Sequence, residues 1–127
     1  MNLLDKVRIY KGLLQGSAHS LFRGMMVCKL SGVTFDGRQE ALMLVDEDTP
    51  IRLVRDRRNE YDFHAVSVEA FVELKWKDVG FIPASINKDI ASALDAGVKL
   101  EAKVWRRIGG EGDFYHGLSI IINRPES

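Results

Sequence analysis

The stretch that decides how this chain is read is Leu53-Val54-Arg55-Asp56-Arg57-Arg58-Asn59-Glu60-Tyr61-Asp62-Phe63-His64-Ala65-Val66-Ser67-Val68, followed shortly by Val79-Gly80-Phe81-Ile82-Pro83. Its two ends are apolar and rich in β-branched residues, as strands packed on a core are. Between them arginines, carboxylates, an amide and a phenol crowd into a turn. Loops held by a rigid scaffold are where binding groups collect, so function is expected in this turn.

Working outward, Ile51 to Val54 predicts one strand. The run from Ala65 predicts another, with Val66, Val68, Val72, Leu74 and Trp76 on one side and Ser67, Glu69, Glu73, Lys75 and Lys77 on a wet side. Asp78 to Pro83 predicts a short strand stopped by proline. Ser85 then caps a helix that buries Ile86, Ile90 and Leu94 and ends at Gly97. Val98, Leu100, Ala102 and Val104 alternate with Lys99, Glu101, Lys103 and Trp105, and Leu118, Ile120 and Ile122 repeat that logic. Gly109-Gly110-Glu111-Gly112 joins these two strands as a hairpin turn; it lacks the Lys-Ser/Thr that closes a phosphate loop.

Upstream, Met25 to Leu30 and Gly32-Val33-Thr34-Phe35 read as a first strand with a glycine-marked bend, closed by Asp36-Gly37. Leu3, Val7, Tyr10 and Leu14 recur at helical spacing behind Asn2, which predicts a helix ending near Gly16. The expected organisation is a helical extension over residues 1–24 and one domain over 25–127. Its class is mainly β (α+β): a small OB-like barrel of about six strands with an inserted helix and an N-terminal helix.

A chain of 127 residues that is 46% hydrophobic supports one core. Its 18 basic and 18 acidic residues cancel, so a polyanion would have to be held by a local patch and not by the field of the whole molecule. The single cysteine, Cys28, excludes an internal disulfide framework. No secretory pattern opens the chain, and no apolar run reaches the roughly 20 residues of a membrane span, so the expectation is a cytoplasmic protein that does not enter membranes. His19, His64 and His116 show none of the paired spacings of structural zinc sites, and no cofactor signature is present.

The central stretch resembles the signature of the HIRAN domain, a module found alone in bacteria and fused to SNF2-type helicases in eukaryotic DNA-damage-tolerance proteins. That signature reads approximately Leu-x-Arg-Glu/Asp-Pro-x-Asn-Pro-Tyr-Asp-x-x-Ala-Val/Ile-x-Val. Leu53, Arg55, Asp56, Asn59, Tyr61, Asp62, Ala65, Val66 and Val68 match it in order. Gly32 to Phe35 resembles the family's first strand, and Gly80-Phe81-Ile82-Pro83 resembles its Gly-Tyr-Leu-Pro element; the likeness runs from about Leu30 to Asn123. Arg57 and Glu60 stand where the family usually has prolines, and His64 where asparagine is common. Without those prolines two φ angles are no longer fixed, so a less rigid turn is expected.

The resemblance implies a non-catalytic module for DNA repair or replication that binds single-stranded DNA, in the best-understood members by a free 3′ end. It implies stacking on Tyr61 and Phe35 and the 3′ hydroxyl at Asp62; on their own chemistry Arg55, Arg57 and Arg58 could meet phosphates, diluted by Asp56 and Glu60, and the expected interface is Phe35, Arg55, Arg58, Asn59, Tyr61, Asp62 and Phe81. A helicase or nuclease acting in trans would be the natural partner.

The chemistry is sound on its own terms. Stacking a base on an aromatic ring contributes roughly 1–3 kcal/mol without sequence preference. An ionised carboxylate accepts from a hydroxyl but repels a phosphate. Each residue also has a plainer reading. Asn59 and Asp62 are common turn formers, Asn59 above all. Tyr61 and Phe35 fit a barrel wall, and a bulge would turn Trp105 into the core. Asp56, Asp62 and His64 make a metal-dependent nuclease only on paper, since strand alternation scatters them. A protein-interaction barrel that binds no DNA is the alternative from a different class.

Overall fold

In the computed structural model, which describes residues 25–112 and 114–125, the elements run β1 (Met25–Lys29), α1 (Arg38–Leu42), β2 (Ile51–Arg55), β3 (Val66–Val72), β4 (Lys75–Phe81), α2 (Asn87–Asp95), β5 (Glu101–Gly109) and β6 (His116–Asn123). The fold is mainly β, as expected. The six strands form two three-stranded antiparallel sheets, ordered β1-β6-β5 and β2-β3-β4. The predicted N-terminal helix, and with it the division at residue 24, lies outside the described residues.

The alternation of β6 places Leu118, Ile120 and Ile122 fully inside. Ile120 sits in register with Cys28 of β1 and Val104 of β5, and burying one such side chain contributes about 1.5–3 kcal/mol. Val66, Val68 and Ala70 of β3 present the matching face of the second sheet, and Ile90 and Ala91 of α2 join the same cluster. Burial pushes the Cys28 thiol up to about 12, so it behaves as a small core hydrophobe.

The two sheets meet where the chain leaves β1. Ser31 and Phe81 each donate a backbone N–H to the other's carbonyl at 2.9 Å, an isolated antiparallel bridge. That approach is possible because position 80 is glycine: a Cβ there would lie 2.8 Å from the Ser31 carbonyl oxygen. On the other flank β2 packs beside β5.

Three local expectations are corrected. Gly32 to Phe35 is a turn, not a strand: Gly32 takes φ +66 and the Phe35 N–H bonds back to the Gly32 carbonyl at 3.4 Å. The short helix α1 follows, unannounced by any periodicity because it spans only five residues. The run from Ala65 to Trp76 is not one strand but a hairpin, reversed by Glu73 and Leu74 in left-handed conformation (φ 50 and 63). No glycine or asparagine marks that turn, and it leaves Leu74 88% exposed instead of inward. Finally, Ser85 does not cap α2. The helix opens at Asn87, and the N–H groups of Ile86 and Asn87 donate to the Pro83 carbonyl at 3.1 and 3.0 Å. No helix among the described residues is long and apolar enough to cross a membrane.

Candidate nucleic-acid interface

The polar turn of the central stretch, residues 56–65, returns from β2 to β3 against the start of α2. Asn59 organises it: its side-chain carbonyl accepts from the N–H groups of Tyr61 and Asp62 at 2.9 and 3.0 Å, and its amide donates to Asp56 at 3.2 Å. Asp62 continues the chain of bonds, with Oδ1 accepting from the His64 N–H at 2.8 Å. Arg55 closes the turn from behind, donating to the carbonyls of Phe63 and Ala65 at 2.9 and 3.0 Å and pairing with Asp95 at 3.1 Å. A loop that lacks both family prolines is thus pinned by side chains bonded to its own backbone.

This pinning raises Tyr61 into solvent. Tyr61 is 95% exposed, which rules out the barrel-wall reading, and Phe35 on the opposing turn is 64% exposed. Between them lies a cleft of about 290 Å³, lined by Ser31, Gly32 and Phe35 on one side, Asn59, Tyr61 and Asp62 on the other, and by Phe81, Arg38 and Asn87. Five of the seven residues expected in the interface, Phe35, Asn59, Tyr61, Asp62 and Phe81, therefore converge. Arg55 and Arg58 do not line the cleft. The Arg55 guanidinium is spent on the loop and on Asp95, and Arg58 is exposed outside it.

The cation in the cleft is one the sequence reading missed. Arg38, 5% exposed, lies with its guanidinium 4.8 Å from the Phe81 ring centroid. It donates to the Gly32 carbonyl at 2.7 Å and to Asp78 at 3.0 Å, tying the Phe35 turn to β4; its Nε has no hydrogen-bond partner among the described residues. Asn87 is the second missed residue. It is 4% exposed, and its side-chain amide donates to Asp62 Oδ2 at 2.7 Å. A signal for it existed: positions 87, 90, 91 and 94 share one helical face, so Asn87 is the polar member of an otherwise apolar stripe. The Asp62 carboxyl is held below the ordinary aspartate range, first by the His64 N–H and then by the Asn87 amide. It is an ionised, acceptor-only group set among aromatic rings.

Other aromatic residues sit elsewhere. Trp105 is half-buried at a bulge between Val104 and Arg106. The rings of Phe71 and Trp76 pack 5.3 Å apart on the second sheet, with the Arg52 guanidinium 4.3 Å over Trp76.

The sequence model of the HIRAN domain matches residues 24–115. Two crystal structures resemble the fold. One is of a protein from Lactobacillus plantarum (20% identity, TM-score 0.58, covering 76% of this chain and 91% of that one). The other is of the HIRAN domain of human HLTF (21% identity, TM-score 0.56, covering 78% and 74%). No curated protein matches the chain.

Proposed function

Because the chain belongs to the HIRAN domain family, a family of DNA-binding modules, we propose that it is a non-catalytic module that binds single-stranded DNA by a free 3′ end. The observation that carries this reading is the position of the Asp62 carboxylate, held between two backed-up donors and flanked by the exposed rings of Tyr61 and Phe35. A terminal base stacks on a ring, and the terminal hydroxyl donates to the carboxylate. A 3′ phosphate brings a second anion to the same place and is repelled. The cleft is small for a ligand site, which suits the end of a strand better than the side of a duplex.

Arg38, the one cation lining the cleft among the described residues, is already paired with Asp78, and the chain has no net charge. Affinity is accordingly modest and rests more on stacking than on phosphate neutralisation, with a shallow salt slope. A module of this kind does not remodel DNA. A helicase or nuclease acting in trans on the same ends, in repair or replication, is the partner class that fits.

The test is fluorescence anisotropy at low salt with one labelled strand ending in a 3′ hydroxyl, the same strand ending in a 3′ phosphate, and a blunt duplex. The proposal requires the hydroxyl strand to bind best. Equal binding of all three sinks it, and binding of none transfers weight to a protein-docking role, for which the Phe71–Trp76 surface is the feature to examine.

A further inference from the structure

Asp62 and Asn87 are 25 residues apart, yet the 2.7 Å bond between them joins the signature turn to the first residue of α2. The bond has only one chemically sensible direction. An ionised carboxylate only accepts, so the amide must turn its NH₂ group toward Oδ2. Asn87 is 4% exposed, and its backbone N–H is committed to the Pro83 carbonyl. Its side chain therefore has little freedom to leave this arrangement. The other carboxylate oxygen is held by the His64 N–H, so both oxygens of Asp62 are oriented and the carboxylate plane is fixed relative to the cleft.

We propose that Asn87 is a positioning residue for end recognition: its amide orients Asp62 and keeps it a pure acceptor, so that the carboxylate takes a terminal hydroxyl and refuses a phosphate. This rests on the strand-end reading above. It adds that the discrimination is built by α2 as well as by the signature turn. A carboxyl free to rotate or to take up a proton presents an O–H donor to a phosphate oxygen and loses the discrimination.

The charged groups around Asp62 are His64 and Asp56 from its own loop, Arg55 from β2 and Arg38 from α1, with Lys88 and Asp89 of α2 exposed. None of them changes when Asn87 is replaced, so an altered pH profile reports on the amide.

The experiment measures the ratio of affinities for 3′-hydroxyl and 3′-phosphate strands in the full chain, against pH, for wild type, Asn87→Ala and Asn87→Asp. Asn87→Ala should lower the ratio by about tenfold. Asn87→Asp is isosteric but sets two carboxylates face to face. Like charges hold one proton on that pair more tightly than Asp62 alone would hold it, and its O–H is a donor to a phosphate oxygen, so the preference should fall on acidification at pH values where wild type keeps it and return as the pH rises. A purely structural role predicts a loss that does not depend on pH. A wild type without preference refutes the strand-end reading and this inference with it; a wild type with preference, retained unchanged in both variants, overturns this inference alone. Should the variants fail to fold, NMR of wild type decides: the Asn87 side-chain amide protons must shift with the same midpoint as the Asp62 carboxyl. An amide indifferent to that titration overturns the proposal.

Discussion

Replacing Tyr61 with alanine separates binding from folding more cleanly than any other change in this protein. With Tyr61 95% exposed, removing its ring uncovers almost no core. The backbone N–H of residue 61 still bonds to the Asn59 side-chain Oδ1 at 2.9 Å, so the turn keeps its shape. The stability change should stay within about 0.5 kcal/mol, the range of exposed substitutions. A lost base-stacking platform costs roughly 1–3 kcal/mol, which is about a 5- to 150-fold rise in Kd. Anisotropy titrations with a 3′-hydroxyl strand, run beside urea melts of the same preparations, read both quantities. Unchanged affinity refutes the role of Tyr61 as a platform. A stability loss above about 1 kcal/mol refutes the claim that the turn holds itself together without the ring.

Three further outcomes follow from the same geometry. Gly80→Ala brings a Cβ to 2.8 Å from the Ser31 carbonyl oxygen, so it should part the bridge between the sheets, lower stability by about 1–3 kcal/mol in urea and weaken strand binding, because Phe81 lines the cleft. Glu73→Asn combined with Leu74→Gly supplies residues at ease with the positive φ angles of the β3–β4 turn, and thermal melts should show about 1 kcal/mol of added stability. Asp62 has its folded pKa lowered, so its contribution is present above the ordinary aspartate range and is lost as pH falls through the depressed folded value. The stability gap between wild type and Asp62→Asn should therefore shrink on acidification; a gap that widens contradicts the sign.

Much of the fold was legible because period-two alternation survives wherever one strand face is buried. Leu118, Ile120 and Ile122 in β6 and Val66 and Val68 in β3 fall inside as their spacing predicts. The signature likewise pointed to Asn59, Tyr61 and Asp62, which are local to one turn. Legibility failed where a local cue was missing or overruled. Glu73 and Leu74 reverse the chain without any turn-forming residue type, so two strands read as one. Arg55, Arg57 and Arg58 looked alike as phosphate contacts, yet both Arg55 and Arg57 pair with Asp95, a partner that sequence distance hides. Arg38 and Asn87 enter the cleft from helices outside the signature, through the long-range contacts to Asp78 and Asp62. Tertiary closure, not local propensity, placed them there.

The most direct test of where the protein holds a strand end is a two-dimensional NMR titration of the isotopically labelled chain with a short 3′-hydroxyl oligonucleotide. The largest shifts should fall together on the two turns that carry the cleft's walls, Ser31 to Phe35 and Asn59 to Ala65, and on Phe81 and the Asn87 side-chain amide. Shifts confined instead to the Phe71–Trp76 surface or to the β5–β6 hairpin, with the cleft silent, would contradict it.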